Sequence, residues 1–236
     1  MLNEDIATNV LLMLLCYAYI LLIIIISSKM STFLHVSPKA SRKFLHAMIG
    51  NLPFVIPFFT ASIYPALVAA PFIVVTFIAS PVSPFKNVNR KLKGLANITE
   101  EGHHLGLVFY AISYTALALF FASKPYIIAA GILPMAYGDS AASLVGEKYG
   151  RIKYKLLARK SLEGSAAMFL ASFLSVTASL AFFSMLYSLS LLNWVIPAFA
   201  VASATTLVEA LSPKGSDNLT VPALGALTLL MLAGGA

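Results

Sequence analysis

The sequence predicts an all-α integral membrane protein, a polytopic bundle of about eight transmembrane helices (seven to eight) with both termini on the non-cytoplasmic side. Three observations lead there. Of 236 residues, 59% are hydrophobic and only 11% charged, where a soluble domain carries about 25% charged. Eight apolar stretches recur along the chain, several close to the roughly 20 residues a helix needs to cross hydrocarbon. The basic residues then fall in alternate loops.

The stretches are 10–26, 45–59, 64–80, 105–122, 125–144, 164–186, 194–211 and 219–233. The second and eighth are short, which suits tilted, partial or re-entrant segments. Residues 45–80 as one helix would run about 54 Å at 1.5 Å per residue, so "TASIYP" must turn the chain. The same arithmetic splits 164–211 at Asn193 and Trp194. Every Lys and Arg except Lys124 lies in the loops after spans one, three, five and seven. By the positive-inside rule those loops are cytoplasmic. The first stretch reads as a span and not a cleaved leader, because acidic Glu4 and Asp5 precede it and its basic residues follow. Cys16 lies in that apolar run and reads as structural. The sequons at Asn97 and Asn218 fall on the cytoplasmic side and read as chance.

Polar chemistry gathers in the cytoplasmic loops and the helix ends that feed them. Asp139 sits five residues before the end of span five. A charged Asp near a helix centre costs about 2.5–3.5 kcal/mol on insertion scales, so such a residue faces a cavity or a partner. Gly138, Ala142 and Gly146 make one stripe of that helix bare, which admits a neighbouring helix or a ligand close to backbone. Ser140 and Ser143 add hydroxyls. Gly146 and Gly150 are expected to break the helix into a loop holding Lys148, Arg151, Lys153, Lys155, Arg159 and Lys160.

The loop closes on Lys160-Ser161-Leu162-Glu163-Gly164. Ser161 suits a helix cap, and Glu163 suits the positive end of the helix. Carboxylates and lysines around glycines also suit a metal–polyphosphate: Mg²⁺ takes one or two carboxylates plus phosphate oxygens, and glycine admits backbone N–H groups to phosphate. Glu209 near the end of span seven reads as a metal ligand or a lysine partner. Asp217, followed by Asn218, reads as a helix cap or a second acidic site residue. Arg42 and Lys43 suit snorkelling anchors, with His46 one turn into span two. Glu100, Glu101, His103 and His104 fit no zinc spacing. There is no G-x-x-x-x-G-K-[ST], kinase Gly-rich loop, H-R-D, D-F-G, G-x-S-x-G or H-E-x-x-H. A phosphate-handling site here must be of a membrane-embedded kind.

"GDSAASLVGEKYGRIKY…RKSLEGSAAMF" resembles the signature region of the polyprenol kinase family, which comprises dolichol kinases, phytol kinases and CTP-dependent diacylglycerol kinases. The matching residues are Gly138, Asp139, Gly146, Gly150, Lys153, Lys160, Ser161, Gly164 and Ser165. "RKFLH" (Arg42 to His46) is similar to the family's first cytoplasmic motif, and "EGHHLGLVFY", with Glu101 and His103, to the segment before its next span. "VEALSPKGSDNLTVP" resembles the terminal acidic motif, with Glu209, Asp217, Asn218 and Pro222 in matching places.

The resemblance implies transfer of the terminal phosphoryl of a nucleotide, usually CTP, to the hydroxyl of a membrane alcohol: dolichol, polyprenol, phytol or geranylgeraniol, or a diacylglycerol-like lipid. It implies Mg²⁺ or another divalent metal on Asp139, Glu209 and Asp217. The catalytic set is then Asp139, Glu163, Lys160 and Asp217. Nucleotide contacts fall on Gly138, Ser143, Gly146, Gly150, Lys153, Arg159, Lys160, Ser161, Gly164 and Asn218. Substrate or phosphate contacts fall on Arg42, Lys43, His46, Glu101 and His103. Residues 1–40 form a first transmembrane helix with a basic loop, and 41–236 a membrane catalytic domain facing the cytoplasm. The partners are lipid, nucleotide and bilayer, with no nucleic acid; a homodimer is left open. A phosphatidate-type cytidylyltransferase is the second reading, although the K-D-x-x-x-x-x-P-G-H-G-G run is missing. A transporter is the third.

The charge pattern makes a topological prediction. In a Cys16→Ala background, a cysteine at position 39 or 155 should react with an impermeant thiol reagent from the cytoplasmic side only, and one at position 124 from the opposite side only.

Overall fold

A computed structural model describes residues 5–33, 36–85, 105–187, 194–213 and 215–233. Within these, α1 (Ile6–Phe33) is apolar on all sides. Cys16, Ile20 and Ile23 are buried, while Leu11, Leu14, Leu21 and Leu22 stay exposed, as suits a peripheral helix in lipid. At its far end Ser27 Oγ donates to Ser41 O (2.7 Å), which ties it to α2.

Helix α2 (Pro38–Ile49) starts on Ser37, whose hydroxyl accepts the Ala40 N–H at 3.2 Å, with Pro38 in the first turn. It is amphipathic and turns Ser41, Leu45 and His46 inward. The expectation of a continuous span over 45–59 is not met. The helix ends at Ile49, and a short tight-helical segment, Leu52–Phe58, follows. Pro53 and Pro57 in that segment lack the N–H groups an α-helix would need.

α3 (Tyr64–Ala79) and α4 (Gly106–Phe121) pack together. α5 (Pro125–Lys148) is the central helix: Ile127, Ile128, Ala130, Ile132 and Met135 are wholly buried. A π turn, Pro134–Gly138, widens it, so that the Asp139 N–H reaches back five residues to Pro134 O. Contrary to the expected break, the helix runs through Gly146 to Lys148.

The third loop also departs from a purely helical reading. It is a small antiparallel hairpin, β1 (Lys153–Lys155) and β2 (Arg159–Ser161), in which Lys153 faces Ser161 and Lys155 faces Arg159. α6 (Leu162–Tyr187), α7 (Val195–Leu211) and α8 (Asp217–Ala233) complete the bundle.

By length and composition α5, α6 and Ile6–Met30 of α1 can each cross a membrane. α3, α4, α7 and α8 are apolar helices of 16 or 17 residues, about 24–26 Å at 1.5 Å per residue, a few ångströms short of a typical 30 Å hydrocarbon core. The chain is a helical membrane protein.

α5 and α8 touch backbone to backbone. A Cβ built on Gly131 would lie 2.5 Å from Pro222 O, and one on Gly225 2.5 Å from Ala130 O. Overpacking a tight core costs about 1–3 kcal/mol, more than the roughly 1 kcal/mol alanine gains over glycine in helix propensity. Gly131→Ala and Gly225→Ala should therefore each lower the unfolding midpoint of detergent-purified protein. Leu119→Ala, at an exposed position, should leave it within a degree or two.

Candidate functional site

The polar helix ends meet at one end of the bundle and enclose a cavity of about 380 Å³. α2 contributes Lys39, Arg42, Lys43 and His46. α5 contributes Asp139, Ser143, Gly146 and Glu147. The hairpin supplies Lys153, Arg159, Lys160 and Ser161. Gly164 and Ser165 come from α6, Glu209 from α7, and Asp217 with Asn218 from α8. Six elements thus meet here and deliver five cationic side chains (Arg42, Lys43, Lys153, Arg159 and Lys160) and three acidic ones (Asp139, Glu209 and Asp217) expected from the sequence alone.

Two ion pairs organise the cavity. Asp139 is only 8% exposed and is paired with Lys43 across the α2–α5 contact. Glu209, 2% exposed, is paired with Lys160 from β2. Burial opposes the Lys160 ammonium, but Glu209, then Asp217 and Asp139, outweigh it and hold its pKa above the ordinary lysine value. Lys160 is therefore charged throughout the physiological range. Ser140 Oγ donates to Lys43 O (3.2 Å) and strengthens the α2–α5 join.

Asp217 opens α8 and accepts the Asn218 N–H on Oδ1 at 2.9 Å. Asn218 Nδ2 donates to Gly106 O (3.0 Å), and Ser113 Oγ donates to Asn218 O (2.7 Å), which anchors this corner to α4. Glu209 Oε2 and Asn218 Oδ1 are buried oxygens with no protein partner. Hard, partnerless oxygens beside carboxylates are what Mg²⁺ takes up together with substrate phosphate, so the residues fit a divalent cation. Among the described residues, however, no three His, Cys, Asp or Glu side chains lie close enough to hold a metal by themselves. Asp139, Glu209 and Asp217 share the cavity without forming a preassembled cage, because lysines already engage two of them.

Close backbone approach shapes the floor. A Cβ on Gly146 would lie 3.0 Å from Ser161 Oγ, and one on Gly164 3.0 Å from Ala142 O. α5 and α6 therefore cross at these glycines, which also line the cavity. Ser161 caps α6 by accepting the Gly164 N–H at 3.2 Å. Lys153 Nζ donates to Gly146 O at 3.0 Å, which turns the strand inward. His46 is hydrogen-bonded to the Met135 backbone, and its ring lies 4.6 Å from that of Tyr110. Its Nε2 is buried without a partner.

Three expected residues stand apart from the cavity lining. Glu163 Oε1 accepts the N–H groups of Arg151 (3.0 Å) and Ile152 (3.2 Å), so it braces the loop. A side chain on Gly138 would run into Ser172 and Met168 of α6, so that glycine serves helix packing. Gly150 packs in the turn against Gly146 O and Lys153. Glu101 and His103 lie outside the described residues.

Two charged cavity residues escaped the sequence reading. Lys39 and Glu147 bridge the rim at 2.9 Å. Lys39 shares a helix face with Arg42 and Lys43 at i+3 and i+4, and that spacing would have revealed it. Glu147 carries no comparable signal.

No protein-family profile and no solved structure matches the chain. Curated relatives do. The chain is 42% identical over 123 residues to the phytol kinase of Synechocystis sp., covering 51% of each protein. It is 30% identical over 212 residues to the chloroplastic farnesol kinase of Arabidopsis thaliana, covering 82% of this chain and 66% of that protein. It is 31% identical over 137 residues to phytol kinase 1 of the same plant, covering 54% of this chain and 45% of that protein. The chain thus spans about half the length of the phytol kinases and about two thirds of the farnesol kinase. With these relatives and the motifs that line its cavity, the chain belongs to the phytol and polyprenol kinase family.

Proposed function

We propose that the protein is a lipid kinase that transfers the terminal phosphoryl group of CTP to the hydroxyl of a membrane isoprenoid alcohol of the phytol, farnesol or polyprenol type. One observation carries this reading: carboxylates from three helices and cations from α2 and the hairpin face one cavity at a single end of an apolar bundle. The names of the relatives support the reaction class and the isoprenoid acceptor. The charge pattern supports a cytoplasmic position for this end, and seven to eight crossings.

Phosphoryl transfer depends mainly on positioning and charge stabilisation. In this reading Lys153, Arg159 and Lys160 hold the phosphates, with Arg42 of α2 lining the same cavity. Gly146 and Gly164 let phosphate approach backbone. Asp217, Glu209 and Asn218, with Asp139 beside them, would hold a divalent cation, which supplies charge neutralisation on the phosphate oxygens. The alcohol enters from the bilayer. Its oxygen bonds to the γ-phosphorus as the bond from that phosphorus to the bridging oxygen breaks, and CDP leaves with the electron pair. Asp139, oriented by Lys43, accepts the hydroxyl proton. His46 Nε2 offers the alcohol a second acceptor. Glu163 keeps the loop in place and takes no proton.

Detergent-purified protein should be stabilised against heat by CTP with Mg²⁺ more than by ATP, UTP or CTP with chelator. At 100 times Kd the gain is about 2.7 kcal/mol. No response to any nucleotide would favour a transporter. Asp139→Asn should fold and lose roughly 10²–10⁴ in the rate of CTP-dependent alcohol phosphorylation. Lys160→Met should lose about 10²–10³. Glu163→Gln keeps the oxygen that braces the loop and should lose less than about tenfold. Release of pyrophosphate with formation of a CDP-lipid, in place of CDP with a phosphorylated alcohol, would convert the assignment to a cytidylyltransferase.

A further inference from the structure

Between the end of α5 and the start of α6, the chain exposes Tyr149, Ile152, Leu156, Leu157 and Leu162, each by more than half. Leu156 and Leu157 form the tip of the hairpin, beyond the last strand pair, Lys155 with Arg159. Lys148, Arg151 and Lys155 are exposed beside them, with the Lys148 ammonium over the Tyr149 ring at 5.2 Å. No acidic residue occurs from 148 to 162. The proposed kinase mechanism uses none of these side chains, and among the described residues none covers the apolar ones.

Their position identifies the partner. The flanking helices, Pro125–Lys148 and Leu162–Tyr187, are each long and apolar enough to cross a membrane, so the hairpin leaves and re-enters the bundle at the edge of the hydrocarbon. Its strands are three residues each, about 10 Å at 3.3 Å per residue, so the tip stays within reach of the headgroup layer. Apolar side chains flanked by lysine and arginine suit the boundary between acyl chains and anionic headgroups.

We propose that the hairpin docks on the bilayer surface. Leu156 and Leu157 seat at the headgroup–acyl boundary, and Lys148, Arg151 and Lys155 lie on the phosphates of anionic lipids. Strand residues Lys153, Arg159 and Lys160 face the cavity from the same hairpin, so docking holds the cationic wall of the site at the depth where a lipid headgroup lies. That last consequence rests on the lipid kinase reading; the docking itself does not.

The test is a fluorophore on Leu157→Cys in a Cys16→Ala background, with the full chain in nanodiscs carrying lipids spin-labelled near the headgroup end of the acyl chain. Quenching should be several-fold stronger at position 157 than at a cysteine replacing Glu147 on the exposed rim. It should increase when a third of the lipid is anionic, and that increase should be lost in the Lys148→Gln/Arg151→Gln/Lys155→Gln variant. Quenching no stronger than at position 147 would overturn the docking. Quenching indifferent to lipid charge would overturn the role of the three cations. A signal that responds to CTP and not to lipid would make the hairpin a lid over nucleotide and sink the proposal. None of these readouts depends on kinase turnover, so a failure here leaves the catalytic reading standing, and the reverse also holds.

Discussion

The site depends on charge pairing at the end of an apolar bundle. Asp139 and Glu209 are almost wholly buried, and each meets a lysine from a different element: Lys43 on α2 and Lys160 on β2. Removing one partner of a buried pair leaves an uncompensated charge and typically costs about 3–5 kcal/mol. The pairs therefore act as fasteners between elements that are otherwise joined by greasy, non-directional contacts. They also keep two carboxylates and two ammonium groups in one small volume before any ligand arrives. On the proposed reading, a polyphosphate entering that volume finds cations already oriented, which lowers the cost of assembling them.

Backbone proximity does the remaining positioning. The α5–α6 crossing at Gly146 and Gly164 brings the Ser161 cap, the hairpin and the Asp139 helix together. The α5–α8 crossing at Gly131 and Gly225 sets where Asp217 and Asn218 emerge. Both contacts involve the central helix, so the site inherits its geometry from the most buried part of the molecule. Asn218, tied to Gly106 and Ser113, extends that rigidity to α4.

Much of this was legible in the sequence because the chain is so apolar. Against such a background Asp139, Glu209 and Asp217 stand out, and the alternation of basic loops marks their common side. Pairing partners were not legible. Nothing local distinguishes Gly138 from Gly146 in the same four-residue stripe; the difference lies in whether Ser172 or Gly164 faces it across α6. Glu163 read as a site residue because its alternative, two loop N–H groups, exists only after the loop folds. The hairpin was hidden because its strands are three residues long and its tip, Leu156-Leu157-Ala158, carries none of the glycine, proline or asparagine that marks a turn. The interruption of 45–59 was written in Pro53 and Pro57, whose missing donors outweigh hydrophobicity.

The π turn in α5 has a further consequence. Each residue of a helix advances the side-chain direction by about 100°, and the wide turn Pro134–Gly138 inserts one more residue than a regular winding would hold. Losing one residue inside that wide turn would let the helix relax to ordinary winding and leave the groups beyond on nearly their present bearing, whereas adding one to the regular winding ahead of it would swing them all by about 100°. The spacing from that helix start to its aspartate is thus asymmetric in its tolerance: the wide turn can give up a residue, but the winding that leads to it cannot gain one without turning Asp139 away from Lys43.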